Sequence, residues 1–369
     1  MKVVRSLTLQ LKPLLGWHQS RLECLAHIIV NLIVSGSVNL VTIAEFMSGD
    51  AKMASHHKRL KRFFSGYDFC LDQIARVIVA WLAPDKDWVL TIDRTNWKLG
   101  KKTINIFMLG IVLKGVALPV IWMILPRDGN TNTAQRITLL SRFIRLFGTS
   151  KIAYLTADRE FKGGDWLRWL KKNNIHWRIR ITKDTLIPNK YDNRKLKATR
   201  FFGLQVGESM HLNKVRTVWG VEVFVAAHRS AQEHIIVVSD VPSKSILNDY
   251  MLRWNVETLF QSYKERGFNL EDTRLVEAEK LSRLLAVMAL ALCWCYSTGT
   301  WRNEQEPIKV LKHKRLAFSL FRYGLSLLRS TLVNPIRKCR KLASLLRKFC
   351  ESVSSKLSTS VIEQAVFIC

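Results

Sequence analysis

The sequence predicts an α/β protein: a mixed sheet flanked by helices, interrupted by a β-rich insertion, with helical regions at both ends. Three observations predict it. Residues 1–82 keep an apolar spacing of helical period, from Trp88 the pattern switches to β-branched and aromatic strand runs, and past 270 the helical spacing returns. Between the two switches the runs read β-β-β-α-β-α-β, which is neither a plain sandwich nor a repeated βαβ array.

Taken in order, "RLECLAHIIVNLIVSG" and "DFCLDQIARVIVAWL" are amphipathic helices. Between them "SVNLVTIAEFMSGDAKMASHHKRLKRFFS" reads as a helix, a turn carrying Gly49 and a second, basic helix. That grammar offers the second helix to a DNA groove. A plain helical bundle with one solvated basic face reads the same way. In either case Lys58, Arg59, Lys61 and Arg62 are candidate phosphate contacts.

"APDKDW" at 83–88 has the proline and charges of a junction, so a helical unit is assigned to 1–85. "DWVLTIDRTNWKLG" is a strand ending on Asp93. "KKTINIFMLGIVLKGVALPVIWMILP" makes two strands split near Gly115. "TNTAQRITLLSRFIRLFG" is a helix capped by Asn132 or Thr131 and stopped by Gly148. "KIAYLTADREF" is a buried strand ending on Asp158, "GGDWLRWLKKNN" a short helix and "IHWRIRITK" a further strand. This order matches the ribonuclease-H-like arrangement, with the first part of the core over 86–183. Residues 184–241 read as the β-rich insertion, in the short strands "FFGLQVGE", "MHLNKVRTVWG", "VEVFVAAHR" and "HIIVVSDV". The core resumes over 242–300, and 301–369 forms a basic helical C-terminal region with 14 Lys/Arg against 4 Asp/Glu.

Charge bounds the partner. The chain has 58 Lys+Arg against 29 Asp+Glu, a net +29, which points to a polyanion and first to nucleic acid. A membrane surface is the second choice. No segment reaches the roughly 18 uncharged apolar residues of a spanning helix. "LLAVMALALCWCY" suits a buried helix, and the N-terminus does not read as a signal peptide. Seven cysteines without C-x-x-C pairs fit a reduced, bacterial-cytoplasm setting and no zinc site.

The chemistry gathers on "YMLRWNVETLFQSYK", residues 250–264. On one continuous helix Tyr250, Arg253, Glu257 and Lys264 fall at roughly 0°, 300°, 340° and 320°. Leu252, Val256, Leu259, Phe260 and Tyr263 form the apolar face beside them. A charged stripe along that margin is either a solvated edge with an Arg253–Glu257 pair or the wall of a cleft. Asp93 and Asp158 each end an apolar strand, where α/β sheets gather ligand-binding groups. With Glu257 they make three converging carboxylates, which repel one another unless cations sit between them. Mg²⁺ suits such oxygen ligands, and two ions can drive phosphoryl transfer.

The spacing Y-x₂-R-x₃-E-x₆-K, with the intervening "RWNVE" and the "TID" and "TAD" contexts, resembles the DDE transposases of the bacterial insertion-sequence-4 family, relatives of the transposon-five and transposon-ten enzymes. The resemblance covers roughly 30–300 and leaves the tail without a motif. It implies that Asp93, Asp158 and Glu257 hold two Mg²⁺ ions, with Mn²⁺ a substitute. Water would cut at the element's ends, and the freed 3′-hydroxyls would join target DNA. Tyr250, Arg253 and Lys264 would grip phosphates, and the helical unit with Lys58, Arg59, Lys61 and Arg62 would bind the terminal repeats. A homodimer on paired DNA ends follows, associated with the nucleoid and with no membrane. Trp219 is the candidate for stacking a flipped base, against the plainer reading of a packed strand tryptophan. Rival readings are a nuclease that cuts without joining and a catalytically silent DNA-binding descendant. The basic segment "KVLKHKRLAFSLFRYGLSLLRS" leaves membrane attachment as a distant third.

Overall fold

The computed structural model describes residues 2–67, 69–189, 194–312, 314–334 and 344. Five helices open the chain: α1 (Lys2–Leu15), α2 (Gln19–Ser35), α3 (Leu40–Glu45), α4 (Met53–Ser65) and α5 (Leu71–Leu82). The predicted helix-turn-helix segment is α3, a turn and α4. Asn39 caps α3 by accepting from the Val41 N–H.

The sheet then forms from β1 (Trp88–Leu99), β2 (Lys102–Leu113), β3 (Val116–Leu125), β4 (Ile152–Ala157) and β5 (Trp177–Ile181). Helix α6 (Thr133–Phe147) joins β3 to β4, and α7 (Gly164–Lys172) joins β4 to β5. Asn132 and Gln135 close a reciprocal capping box at the start of α6, and Gly148 ends it, as the sequence predicts.

A second sheet pairs β6 (Leu186–Pro188) with β7 (Lys195–Lys197). The strands β8 (Ser209–His211), β9 (Arg216–Val218), β10 (Val221–Arg229) and β11 (His234–Ser239) follow. The main sheet has the order β3-β2-β1-β4-β5-β11-β10-β8, with β9 paired to β10. β4 runs parallel to β1 and β5, and the other pairs are antiparallel.

Three expectations change here. β1 does not end at Asp93: its antiparallel ladder with β2 continues to Leu99, while its parallel partner β4 stops at Ala157. The strands predicted as an insertion largely extend the main sheet, because β11 pairs with β5 along Ile236–Ser239. "FFGLQVGE" is not a strand; a 3₁₀ turn at Ala198–Phe201 takes in its first residue and β8 starts only at Ser209.

Helices α8 (Ile246–Met251) and α9 (Trp254–Tyr263) lead to α10 (Ala278–Gln305) and α11 (Leu320–Val333). α10 has the length and composition of a membrane span, but 89% of its apolar window is buried inside the protein. It packs on α2, α4, α5, α11 and β3, so the helical N-terminal region and the sheet share one core. The helix predicted around 310–330 begins at Leu320; before it Val310 and Leu316 form an isolated bridge. The basic tail beyond residue 334, apart from 344, lies outside the described residues. Cys24, Cys293 and Cys295 are free and buried, whereas Cys70 is disulfide-bonded, a departure from the fully reduced set expected.

α10 and α11 approach closely through glycines. A Cβ on Gly299 would strike the Leu320 carbonyl oxygen, and one on Gly324 the Cys295 carbonyl oxygen. Backbone cannot retreat cheaply, so Gly299→Ala is expected to destabilise the protein by about 2–3 kcal/mol, the upper range for overpacking. Chemical denaturation checks this; an unchanged midpoint would mean the helices slide apart freely.

Candidate active site

The register of the central strands brings two carboxylates together. β1 and β4 run in step up to Ile92 beside Ala157, so the next residues, Asp93 and Asp158, are neighbours at the end of the parallel pair. Ligand crevices form where such strands end. The side chains of Asp93 and Asp158 are only 17% and 29% exposed, so each feels the other's charge.

The third carboxylate arrives from the segment 250–264, which is not one helix. It breaks between α8 and α9, where i→i+3 bonds tighten the chain: Arg253 N–H to the Tyr250 carbonyl at 3.0 Å and Val256 N–H to the Arg253 carbonyl at 3.0 Å. α8 packs on β4, β5, β10 and β11, whereas α9 packs on β1, β2 and β3. The break therefore lies over the junction of the two halves, beside Asp93 and Asp158. Val256, Leu259, Phe260 and Tyr263 are buried as the helical wheel predicts. Leu252 is not. It is 38% exposed, because the break turns Tyr250 and Arg253 inward instead, at 1% and 4%.

Arg253 ties the centre together. Its Nη1 lies 3.3 Å from Asp93 Oδ2, its Nη2 donates to Glu257 Oε1 at 2.7 Å, and its Nε donates to the Tyr250 hydroxyl oxygen at 3.2 Å. That hydroxyl in turn donates to Asp158 Oδ1 at 3.2 Å. Burial would depress the guanidinium, but Tyr250, Asp158, Asp93 and Glu257 together raise its pKa. Burial pushes the Tyr250 phenol up to about 12, with Asp158 adding to the rise, so it stays a neutral donor.

Burial also pushes Asp93 up to about 7; Arg253 and the Arg94 N–H, which donates at 2.7 Å, oppose it, while Glu160 and Asp158 add to it. A carboxyl held that high is short of positive charge, so its surroundings fit a hard divalent cation. The three carboxylates do not form an open cage, however. Among the described residues no three acidic, His or Cys side chains are gathered closely enough to hold a metal. The Arg253 guanidinium stands between Asp93 and Glu257 as their counter-charge.

The other predicted residues divide. Lys264 follows α9 along the same strand, 5.7 Å from the Trp97 ring centroid, and its ammonium is paired with Glu271 at 2.6 Å. On α4, Lys58, Lys61 and Arg62 are exposed. Arg59 turns inward and donates to the Ser20 carbonyl at 3.1 Å. Trp219 sits in the two-residue turn between β9 and β10, followed by Gly220, with positive φ of 50° and 76°. Its ring is half-buried against the core, and its carbonyl accepts from Arg168 at 3.2 Å.

The sequence reading missed Arg178 and Arg180 of β5, whose side chains are 7% and 9% exposed. Arg178 Nε donates to Asp249 at 3.1 Å, anchoring α8, and Arg180 lies 3.9 Å from Asp158. Alternating arginines in the apolar strand "WRIRI" were the available signal. Glu160 likewise pairs with Arg94 at 3.1 Å beside the centre.

Comparison with known proteins adds two findings. The family model described as a transposase DDE domain matches residues 84–294, more than half of the chain. Among solved structures the chain is similar to the cryo-EM structure of a piggyBac transposase synaptic complex with hairpin DNA. That similarity has 14% identity and a TM-score of 0.46, covering 98% of this chain and 84% of that one. No curated protein matches.

Proposed function

This chain belongs to the transposase DDE domain family, and on that premise we propose that it is a cut-and-paste DNA transposase of a bacterial insertion sequence. The observation that carries the proposal is the pairing of Asp93 and Glu257 with the buried Arg253 at the end of the parallel strand pair, with Asp158 joined to that arginine through the Tyr250 hydroxyl. A net charge of +29 supports a DNA partner. The strand order β3-β2-β1-β4-β5 supports a ribonuclease-H-like core. The Tyr250, Arg253, Glu257, Lys264 spacing supports placement in the insertion-sequence-4 family.

Transposases of the DDE type generally use divalent metal ions. Asp93, Asp158 and Glu257 would hold them, two Mg²⁺ with Mn²⁺ a substitute, and they would supply Lewis-acid charge at the scissile phosphate. The chain's own residues do the rest. To serve as a ligand Asp93 would have to give up the proton that burial makes it hold up to about pH 7. Arg253 would turn its planar fork from Asp93 and Glu257 to phosphate oxygens, and Lys264 would add a point charge beside Trp97 of β1. Tyr250 holds Asp158 in place through its hydroxyl. Hydrolysis frees a 3′-hydroxyl at each element end, which attacks target DNA, with a homodimer holding both ends.

Titration of Asp93 sets a pH dependence. Its folded pKa of about 7 lies above the ordinary 3.8, so the folded state keeps a proton that the unfolded chain has lost between those values. This group's stabilisation is present below pH 3.8 and lost as pH rises through 7. Cation binding must displace that proton. Half-saturating Mg²⁺, read from the melting temperature, is expected to fall about tenfold per pH unit up to neutrality and then level off. A flat dependence between pH 5.5 and 8 would remove Asp93 from the ligand set.

The helical unit 1–85 binds the element ends through α4. Lys61→Ala with Arg62→Ala is expected to weaken gel-shift binding about tenfold and to shallow its salt dependence by one to two phosphate contacts. Normal affinity would sink the assignment. The whole reading is tested by incubating the protein with linear DNA carrying the flanks of its own reading frame, with Mg²⁺ and with EDTA. Metal-dependent breaks at fixed flanking positions support a transposase; scattered cuts indicate a nuclease, and retarded but uncut DNA a silent descendant.

A further inference from the structure

Beside the carboxylate centre the chain builds a second, strongly basic concavity of about 500 Å³. Its walls carry Arg159, Arg180, Lys183, Arg229 and His234, from the ends of β4, β5, β10 and β11. The Arg180 side chain is buried, and its Nε has no hydrogen-bond partner among the described residues. An unpartnered buried donor on a charged group is costly, so its presence calls for an occupant. Burial lowers the pKa of His234, and Arg229 and Lys183 lower it further, which reflects how cations crowd there.

One anion already sits in the concavity. Glu233 lies in the turn between β10 and β11, where Ser230 Oγ accepts the Glu233 N–H and donates to its carbonyl, both at 3.0 Å. Its Oε2 meets Arg180 Nη2 at 2.5 Å and Arg159 Nη1 at 4.0 Å. The Glu233 side chain is 45% exposed, so water compensates it readily when it leaves. Asp184, also on the rim, is engaged by Lys197 at 2.8 Å.

Resting on the DNA-cutting reading above, we propose that this concavity is a phosphate subsite for the DNA strand that runs out of the carboxylate centre, with Glu233 as its resident occupant and phosphate mimic. Arg180 links the two sites: it lies 3.9 Å from Asp158 and holds Glu233 on the other side. A carboxylate and a phosphodiester present the same paired oxygens to a guanidinium, so one exchanges for the other. Basic side chains drawn from the ends of four strands suit a continuous phosphate backbone.

The test measures binding of a fluorescent 30-base-pair duplex in EDTA across a salt series. Glu233→Gln removes the mimic and is expected to tighten binding about three- to tenfold. Lys183→Ala with Arg229→Gln is expected to weaken it about tenfold and reduce the salt slope by one to two contacts. If wild-type protein binds DNA and cuts it with Mg²⁺ while neither variant alters affinity or slope, the subsite is wrong and the transposase reading stands. If wild-type protein neither binds nor cuts, both fall. If inorganic phosphate raises the melting temperature of wild-type protein but not of the double variant, and DNA affinity is equal in both, the concavity is a free-anion site and the proposal is overturned.

Discussion

Asp158→Asn is expected to leave a folded protein that binds DNA and cuts none of it. The substitution is isosteric, and an amide oxygen still accepts the Tyr250 hydroxyl now at 3.2 Å from Asp158. The packing of α8 on β4 therefore survives. What disappears is one of the two charges at the end of the parallel pair, and with it the cation that those charges would hold. Cleavage is expected to fall by about 10²–10³-fold, the scale reached when one transition-state contact is lost. Glu257→Gln should behave alike, since Glu257 is the carboxylate that α9 contributes. The paired measurements are Mg²⁺-dependent cutting of flank DNA and gel-shift binding of the same DNA. Equal loss of both in either variant would make that residue structural and remove it from the chemistry. Asp158→Asn should also let Asp93 titrate below about 7, because the Asp158 charge helps hold it there.

Much of this centre was legible in the sequence because it depends on local rules. Two apolar strands that each deliver an aspartate place those aspartates side by side when the strands pair in parallel and in step, and β1 and β4 do, Ile92 beside Ala157. The Asn132 cap and the Gly148 stop are chemistry within one turn. The rest required distant partners. A helical wheel assumes unbroken 3.6-residue turns, and nothing in "YMLRWNVE" announces the break at Leu252 and Arg253. It arises because α8 and α9 rest on different halves of a twisted sheet, each seeking its own apolar contacts. The insertion misled for a similar reason: β11 joins β5 across more than fifty intervening residues, a pairing no local pattern records. Arg59 reads as one more cation of a basic face, yet the Ser20 carbonyl draws it inward.

Arg253→Gln tests the arrangement as a whole, because this side chain balances charges that belong to three different elements. Asp93, Glu257 and Tyr250 all contact a guanidinium that is 4% exposed. Removing one partner of a deeply buried pair costs about 3–5 kcal/mol. Here the loss is discounted, since the Glu257 side chain is 37% exposed and can turn to water. A cost of about 1–3 kcal/mol is expected without metal, which for a chain of this size lowers the melting temperature by about 2–4 °C per kcal/mol. Asp93 loses the charge that most opposes its protonation, so its pKa rises above about 7. The decisive readout is the response to Mg²⁺. In wild-type protein a cation must displace a guanidinium already neutralising the carboxylates; in Arg253→Gln it meets them bare. The variant should therefore gain more melting temperature from saturating Mg²⁺ than wild-type protein does, compared for each protein at a pH above the titration of its own Asp93. Its DNA cleavage should nonetheless fall, because the fork proposed to grip phosphate is gone. An arginine that only packs would predict equal Mg²⁺ gains in both proteins. An arginine that occupies the cation's place predicts that stability is recovered by metal while activity is not.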